Sequence, residues 1–182
     1  MRRRSERLLY AANGVGLGVA DVELTGGERV ERPFIRTPQA AGAVVFHDGR
    51  VLLLWRHSPI TDTRGWEIPL GDVGPGEESA EAAARHVEEQ TGWRPGPLVP
   101  LIRTRPAGDV ADCEHVVFAA HQATELPGGP EKGEGDEERG RAEWVPMLRV
   151  QGLIEEQAIT SATTSAALLH FLADLLQARA AH

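Results

Sequence analysis

The sequence predicts an α/β fold. Apolar strand runs come in pairs around short turns, one glycine-flanked segment has the composition of a helix, and an amphipathic helix closes the chain. The 182 residues are 41% hydrophobic and 25% charged, which suits one soluble globular body with a real core. A net charge of −8 argues against nonspecific binding to nucleic acid or to an anionic membrane. Cys113 is the only cysteine, so no intrachain disulfide is possible and a cytoplasmic setting is expected. Arg2 to Arg4 begin like a basic leader, but no apolar stretch follows, and no run approaches the ~20 apolar residues of a membrane span.

The elements follow in order. Val15 to Leu24 alternates as a strand, Thr25 to Glu28 reads as a hairpin turn, and Arg29 to Ile35 returns. Ala40 to Phe46 and Val51 to Trp55 form a second pair around His47-Asp48-Gly49-Arg50, apolar enough to be covered on both faces. Thr61 to Arg64 is a polar connection, and Trp66 to Leu70 leads into a glycine-rich turn. From Ala80 to Thr91 there are four alanines and no Gly or Pro, which predicts a helix with Ser79 as its N-cap and Gly92 as its stop. Pro95 and Pro97 break structure, and Leu98 to Arg103 and Glu114 to Thr124 read as strands around the loop from Pro106 to Asp112. Pro127 to Gly140 reads as a surface loop, and Ala142 to Pro146 as a short last strand. Val150 to Ile154 and Thr163 to Arg179 read as helices, the second with Leu168, Leu169, Leu172, Leu175 and Leu176 on its buried face.

On the predicted helix, His86, Glu89 and Gln90 lie at i, i+3 and i+4 and share a face. Glu88 is one residue out of frame, which turns it by about 100° from that face.

The segment Gly71 to Trp93 resembles the Nudix box, Gly-x5-Glu-x7-Arg-Glu-U-x-Glu-Glu-x-Gly-U, where U is apolar. Gly71, Glu77, Arg85, Val87, Glu89, Gly92 and Trp93 fit in order, whereas His86 and Gln90 stand where the pattern has Glu. The lead-ins Leu54-Trp55-Arg56-His57 and Gly65-Trp66-Glu67-Ile68-Pro69-Leu70-Gly71, with Glu143-Trp144-Val145-Pro146 downstream, look like the ADP-ribose pyrophosphatase branch. The resemblance implies the Nudix fold, a mixed β-sheet sandwiched between helices, over residues 39–182. Residues 1–38 would be an N-terminal β-hairpin extension that builds a homodimer.

The resemblance also implies a hydrolase that cleaves the pyrophosphate of a nucleoside diphosphate linked to another moiety, with ADP-ribose giving AMP and ribose 5-phosphate as the best single case. The alternative is a nucleotide-binding protein with a degenerate box and little catalysis. The cofactor would be Mg²⁺ or Mn²⁺, which neutralises the diphosphate and activates a water. Its ligands would be the backbone carbonyl of Leu70 or Gly71, the carboxylate of Glu89, and the side chains at the ligand positions His86 and Gln90. Mg²⁺ prefers hard oxygen ligands, whereas imidazole suits Zn, Mn, Ni or Cu. Arg85 would fix the box helix by pairing with Glu77, with Gly92 ending that helix. Glu138, or Glu137 beside it, would orient or deprotonate the attacking water. Gly140 stands where the family loop often carries another acid, so all three departures remove negative charge. Arg56 and Arg36 suit either phosphate or ribose contact or surface salt bridging, and Trp66 suits either stacking on substrate or core packing.

Overall fold

A computed structural model describes residues 1–108, 110–128 and 140–180. The chain forms two compact units, Met1–Gln39 with Thr104–His115, and Ala40–Arg103 with Val116–His182.

In the first unit, β1 (Arg2–Ala12), β2 (Val15–Glu23) and β3 (Arg29–Arg36) run as an antiparallel meander, and β10 (Ala111–Asp112) pairs with β3 in parallel. Strand β1 is an addition to the sequence reading. Its first ten residues are all exposed, so the strand carries no alternation of apolar and polar residues to read. The signal present was Asn13-Gly14, whose φ values of 50° and 79° make the tight turn between β1 and β2.

In the second unit, β4 (Ala40–His47) and β5 (Arg50–Ser58) form the expected hairpin around Asp48 and Gly49. They lie at the middle of a mixed sheet ordered β13-β5-β4-β11-β9, made with β9 (Val99–Thr104), β11 (His115–Ala120) and β13 (Arg141–Pro146). Strand β6 (Thr63–Glu67) adds to β5, and β7 (Leu70–Asp72) adds to β4. The region read as one strand from Glu114 to Thr124 is broken at His121-Gln122. Its second part, β12 (Ala123–Glu125), pairs with β8 (Trp93–Pro95) in a separate ribbon.

The near-continuous apolar runs of β4 and β5 are explained by burial on both faces. Ala41, Ala43, Val45 and Leu52 pack against Ala82, Ala83 and Val87 of α1 (Ser79–Thr91). Val44, Val51 and Leu53 face the other way, toward Val150 and Leu153 of α2 (Val150–Glu155) and Ala167, Leu168 and Phe171 of α3 (Ala162–Ala180). The sheet is therefore sandwiched between helices, as expected.

Two helix details differ from the sequence reading. The N-cap of α1 is Glu78, extended and without a side-chain capping bond, and Ser79 is the first helical residue. Gly92 ends the helix in the left-handed conformation (φ 75°), its N–H donating to the Glu88 carbonyl at 2.9 Å. On α3, Leu168 is fully buried, but Leu169 and Leu176 are 44% and 57% exposed, while Ala167 and Phe171 fill the core instead. Successive residues turn by about 100°, so Leu168 and Leu169 cannot both enter one narrow contact. No helix among the described residues is long and apolar enough to cross a membrane.

Leu168→Ala should cost about 2–5 kcal/mol in urea unfolding, the range for a core leucine truncated to alanine. Leu169→Ala should cost under about 1 kcal/mol, because much of that side chain already meets water. Equal losses would place the buried face of α3 wrongly.

Candidate active site

Strand β7 lays Gly71 opposite Ala41 and Leu70 opposite Gly42 on β4, fixing the entry to the glycine turn. The turn closes on itself as the Glu77 N–H donates to the Gly74 carbonyl at 3.1 Å. The Gly74 N–H in turn donates to Glu77 Oε2 at 2.8 Å. Arg85 reaches back from α1 and grips the same carboxylate, Nε to Oε1 and Nη2 to Oε2, both at 2.8 Å. Two parallel charge-assisted bonds of this kind fix orientation as well as attraction. The pair of bonds from Arg85, reinforced by the Gly74 N–H, holds the Glu77 carboxyl down at about 2. The same contacts push the Arg85 guanidinium up. The fork foreseen in the sequence is thus formed, and it ties helix to turn.

Of the three side chains of the predicted face, His86 and Glu89 stay neighbours, with Nδ1 and Oε2 3.9 Å apart, whereas Gln90 turns toward β7 and β5. Glu89 points outward and pairs with Arg85 Nη1 at 3.3 Å. His86 is buried at 8% exposure, with Nε2 2.9 Å from the Asp72 carbonyl. A carbonyl only accepts, so that nitrogen carries the proton. The imidazole lies against Gly71, where an added Cβ would stand 2.5 Å from His86 Cε1. Gln90 donates Nε2 to the Leu70 carbonyl at 3.1 Å and accepts from Arg56 Nη2 at 2.8 Å. Glu88 is indeed out of frame and pairs with Arg94 at 2.7 Å.

Arg56, near the end of β5, is the unusual member. Among the described residues its buried Nε has no hydrogen-bond partner, and Glu67 Oε2, 3.6 Å away, makes an ion pair too long for a hydrogen bond. Burial pushes this guanidinium down, and Glu67 acts in the opposite direction. Gly140 comes up against the same strand: a Cβ there would meet the Trp55 carbonyl oxygen at 2.6 Å and Arg56 Cβ at 2.8 Å, and its φ is 79°. A side chain, acidic or otherwise, is excluded at that position.

Arg36 belongs to the first unit, where Glu6 takes both its Nη atoms (2.9 and 3.0 Å) and Asp112 takes Nε and Nη2. Trp66 packs against the core and tilts on Trp55 with ring centroids 5.2 Å apart. Glu137 and Glu138 lie outside the described residues. Sequence reasoning missed the Asp72 carbonyl, which receives both His86 and Arg85. No sequence signal marks a backbone oxygen of this kind.

These residues do not fit a divalent ion gripped by three carboxylates. Glu89 supplies the one carboxylate of the face, and Gln90 already donates to the Leu70 carbonyl. Among the described residues, no three His, Cys, Asp or Glu side chains are placed to hold a metal ion together.

The NUDIX domain family model matches residues 36–168. The chain is 37% identical over 171 residues to a CMP-5'-(N-acetyl-N-hydroxy-3-aminopropyl)phosphonate hydrolase of Streptomyces rubellomurinus, covering 93% of this chain and 81% of that protein. It is 28% identical over 178 residues to an ADP-ribose pyrophosphatase of Bacillus subtilis, covering 94% and 92%. In structure it resembles an ADP compounds hydrolase, with a TM-score of 0.81 at 18% identity, over 98% of this chain and 95% of the other.

The Glu77 carboxyl sits below its ordinary value of 4.5 in the folded chain. Its contribution to stability is therefore complete above that value and is lost as pH falls toward 2. Arg85→Gln should unfold at a higher pH than the parent in an acid titration followed by circular dichroism. The stability gap between the two should close as pH drops from 4.5 toward 2; a gap constant over that span would refute the fork as its source.

Proposed function

The chain belongs to the Nudix family of hydrolases, and on that premise we propose that it cleaves the P–O–P anhydride joining a nucleoside 5'-monophosphate to a second phosphorus group. The supporting observation is the locked turn and helix. The Glu77–Arg85 fork holds the Leu70 and Gly71 backbone beside Arg56, with Glu89 on the outer side of α1. The two relatives agree on chemistry. One carries a nucleoside monophosphate joined to a phosphonate in its name, and the other acts on ADP-ribose. ADP-ribose, giving AMP and ribose 5-phosphate, is the first substrate of choice; a CMP-linked phosphonate is the second.

In the reaction, a water oxygen bonds to one phosphorus, and the bridging P–O bond breaks with its electron pair on the departing phosphate or phosphonate. The water proton goes to a carboxylate, and we assign that role to Glu138 with Glu137 beside it. Arg56 supplies a fixed positive charge to the phosphates, and a preset cation of this kind costs no reorganisation when charge develops. Family members generally work with divalent cations, and Glu89 is the carboxylate this face offers one.

A second reading has its own support. His86 and Gln90 are already hydrogen-bonded inward, which suits a chain that binds nucleotides with little turnover. We further propose a homodimer through the hairpin, because Tyr10, Leu17 and Ile35 pair in register and are all exposed apolar residues.

Phosphorus NMR should show AMP and ribose 5-phosphate from ADP-ribose, or CMP and free phosphonate from the CMP-linked compound, with Mg²⁺ and Mn²⁺ assayed separately. Binding without products across both compounds and both metals would favour the second reading. Light scattering should give twice the chain mass, falling to one chain mass for Leu17→Glu; a monomeric parent would remove the dimer proposal.

A further inference from the structure

Where the family pattern has metal-binding Glu, His86 and Gln90 are here hydrogen-bonded to backbone carbonyls, and Gln90 also to Arg56. Gln90 spans the gap between β5 and β7, giving its amide N–H to the Leu70 carbonyl and taking Arg56 Nη2 on its amide oxygen. The amide donor thus meets one of the two carbonyls, Leu70 or Gly71, that the resemblance offers to a cation. Behind it stands the Arg56 guanidinium, with the Glu67 carboxylate 3.6 Å from its Nε, so a cation approaching the Leu70 carbonyl meets a positive charge already in place. His86 does not relieve this, because its proton-bearing Nε2 is turned to the Asp72 carbonyl and its ring is sealed against Gly71. Glu89 is left as one exposed carboxylate, itself paired with Arg85.

We propose that the Arg56–Gln90 pair holds the place of a resident divalent ion, so that the free chain keeps none and an ion joins this face only together with a phosphate-bearing ligand. Mg²⁺ is commonly bound by one or two carboxylates plus substrate phosphates, and one carboxylate is what Glu89 offers. The diphosphate would supply the oxygens and the negative charge that the missing carboxylates do not, and the same charge would draw on Arg56. The exclusion of a resident ion rests on the geometry of the described residues. The joining of ion and ligand rests on the nucleotide reading above.

Water-proton relaxation with Mn²⁺ tests both halves on the full chain. Free wild-type protein should show no saturable enhancement with Mn²⁺ up to millimolar concentration. Adding α,β-methylene-ADP should produce an enhancement beyond that of Mn²⁺ with the analogue alone. Gln90→Glu by itself should gain little, because the new carboxylate would pair with Arg56. Arg56→Gln with Gln90→Glu should bind Mn²⁺ at least about tenfold more tightly than Gln90→Glu, as a carboxylate is released from its cation.

Saturable sub-millimolar Mn²⁺ binding by the free wild type would overturn the proposal, and this arm decides even if a variant fails to fold. A double variant no tighter than Gln90→Glu would overturn the role of Arg56. Absence of a ternary enhancement would overturn the joint entry of ion and ligand. None of these results depends on turnover, so the hydrolase reading stands or falls separately on the appearance of products.

Discussion

The fork between Glu77 and Arg85 ties together two parts of the chain that would otherwise be independent. A glycine turn has little to hold its shape, and a thirteen-residue helix has many ways to sit on a sheet. One carboxylate, held by two guanidinium bonds and by the Gly74 N–H, sets the turn and the helix at once. Arg85 also reaches the Asp72 carbonyl and Glu89, so the C-terminal end of β7 and the outer side of α1 are fixed by the same side chain. The apolar side of α1 completes the constraint, with Ala82, Ala83 and Val87 pressed on β4. Small residues there let the helix lie close, which brings Gln90 within reach of Leu70.

Around that fixed frame, the charge at the site has been rearranged. The family pattern concentrates acids on one helical face and lets a cation balance them. In this chain, His86, Gln90 and Gly140 each take an acid away, and Arg56 brings in a cation of its own. The outcome is a set of neutral or paired groups that need no external ion to be satisfied. A buried guanidinium nitrogen without a hydrogen-bond partner is costly, and among the described residues Arg56 Nε is where this set remains incomplete. Such an atom suits a ligand oxygen.

Much of this was legible in the residues. Alternation gave β2, an unbroken apolar run gave β4, the Asp48-Gly49 pair gave the central hairpin, and the alanine run closed by Gly92 gave α1. The i, i+3, i+4 spacing placed His86, Glu89 and Gln90 side by side, and the Glu77–Arg85 pair was foreseen. Strand β1 was hidden because every side chain in its first ten residues is exposed, so pairing with β2 leaves no trace in hydropathy. The inward turn of His86 and Gln90 was hidden because backbone oxygens at Asp72 and Leu70 have no letter in the sequence. The helix periodicity also overcounted: five leucines on α3 were read as one buried face, and the curvature of the contact admits fewer.

The imidazole resting on Gly71 has a historical meaning. As long as the ring of His86 occupies that space, any side chain at residue 71 collides with it. A chain that first exchanged the ring for a slimmer group would free position 71 to vary; a chain that first varied position 71 would lose the packing of both. The two positions are therefore coupled: with the ring in place, a side chain at 71 enters only if the imidazole gives way.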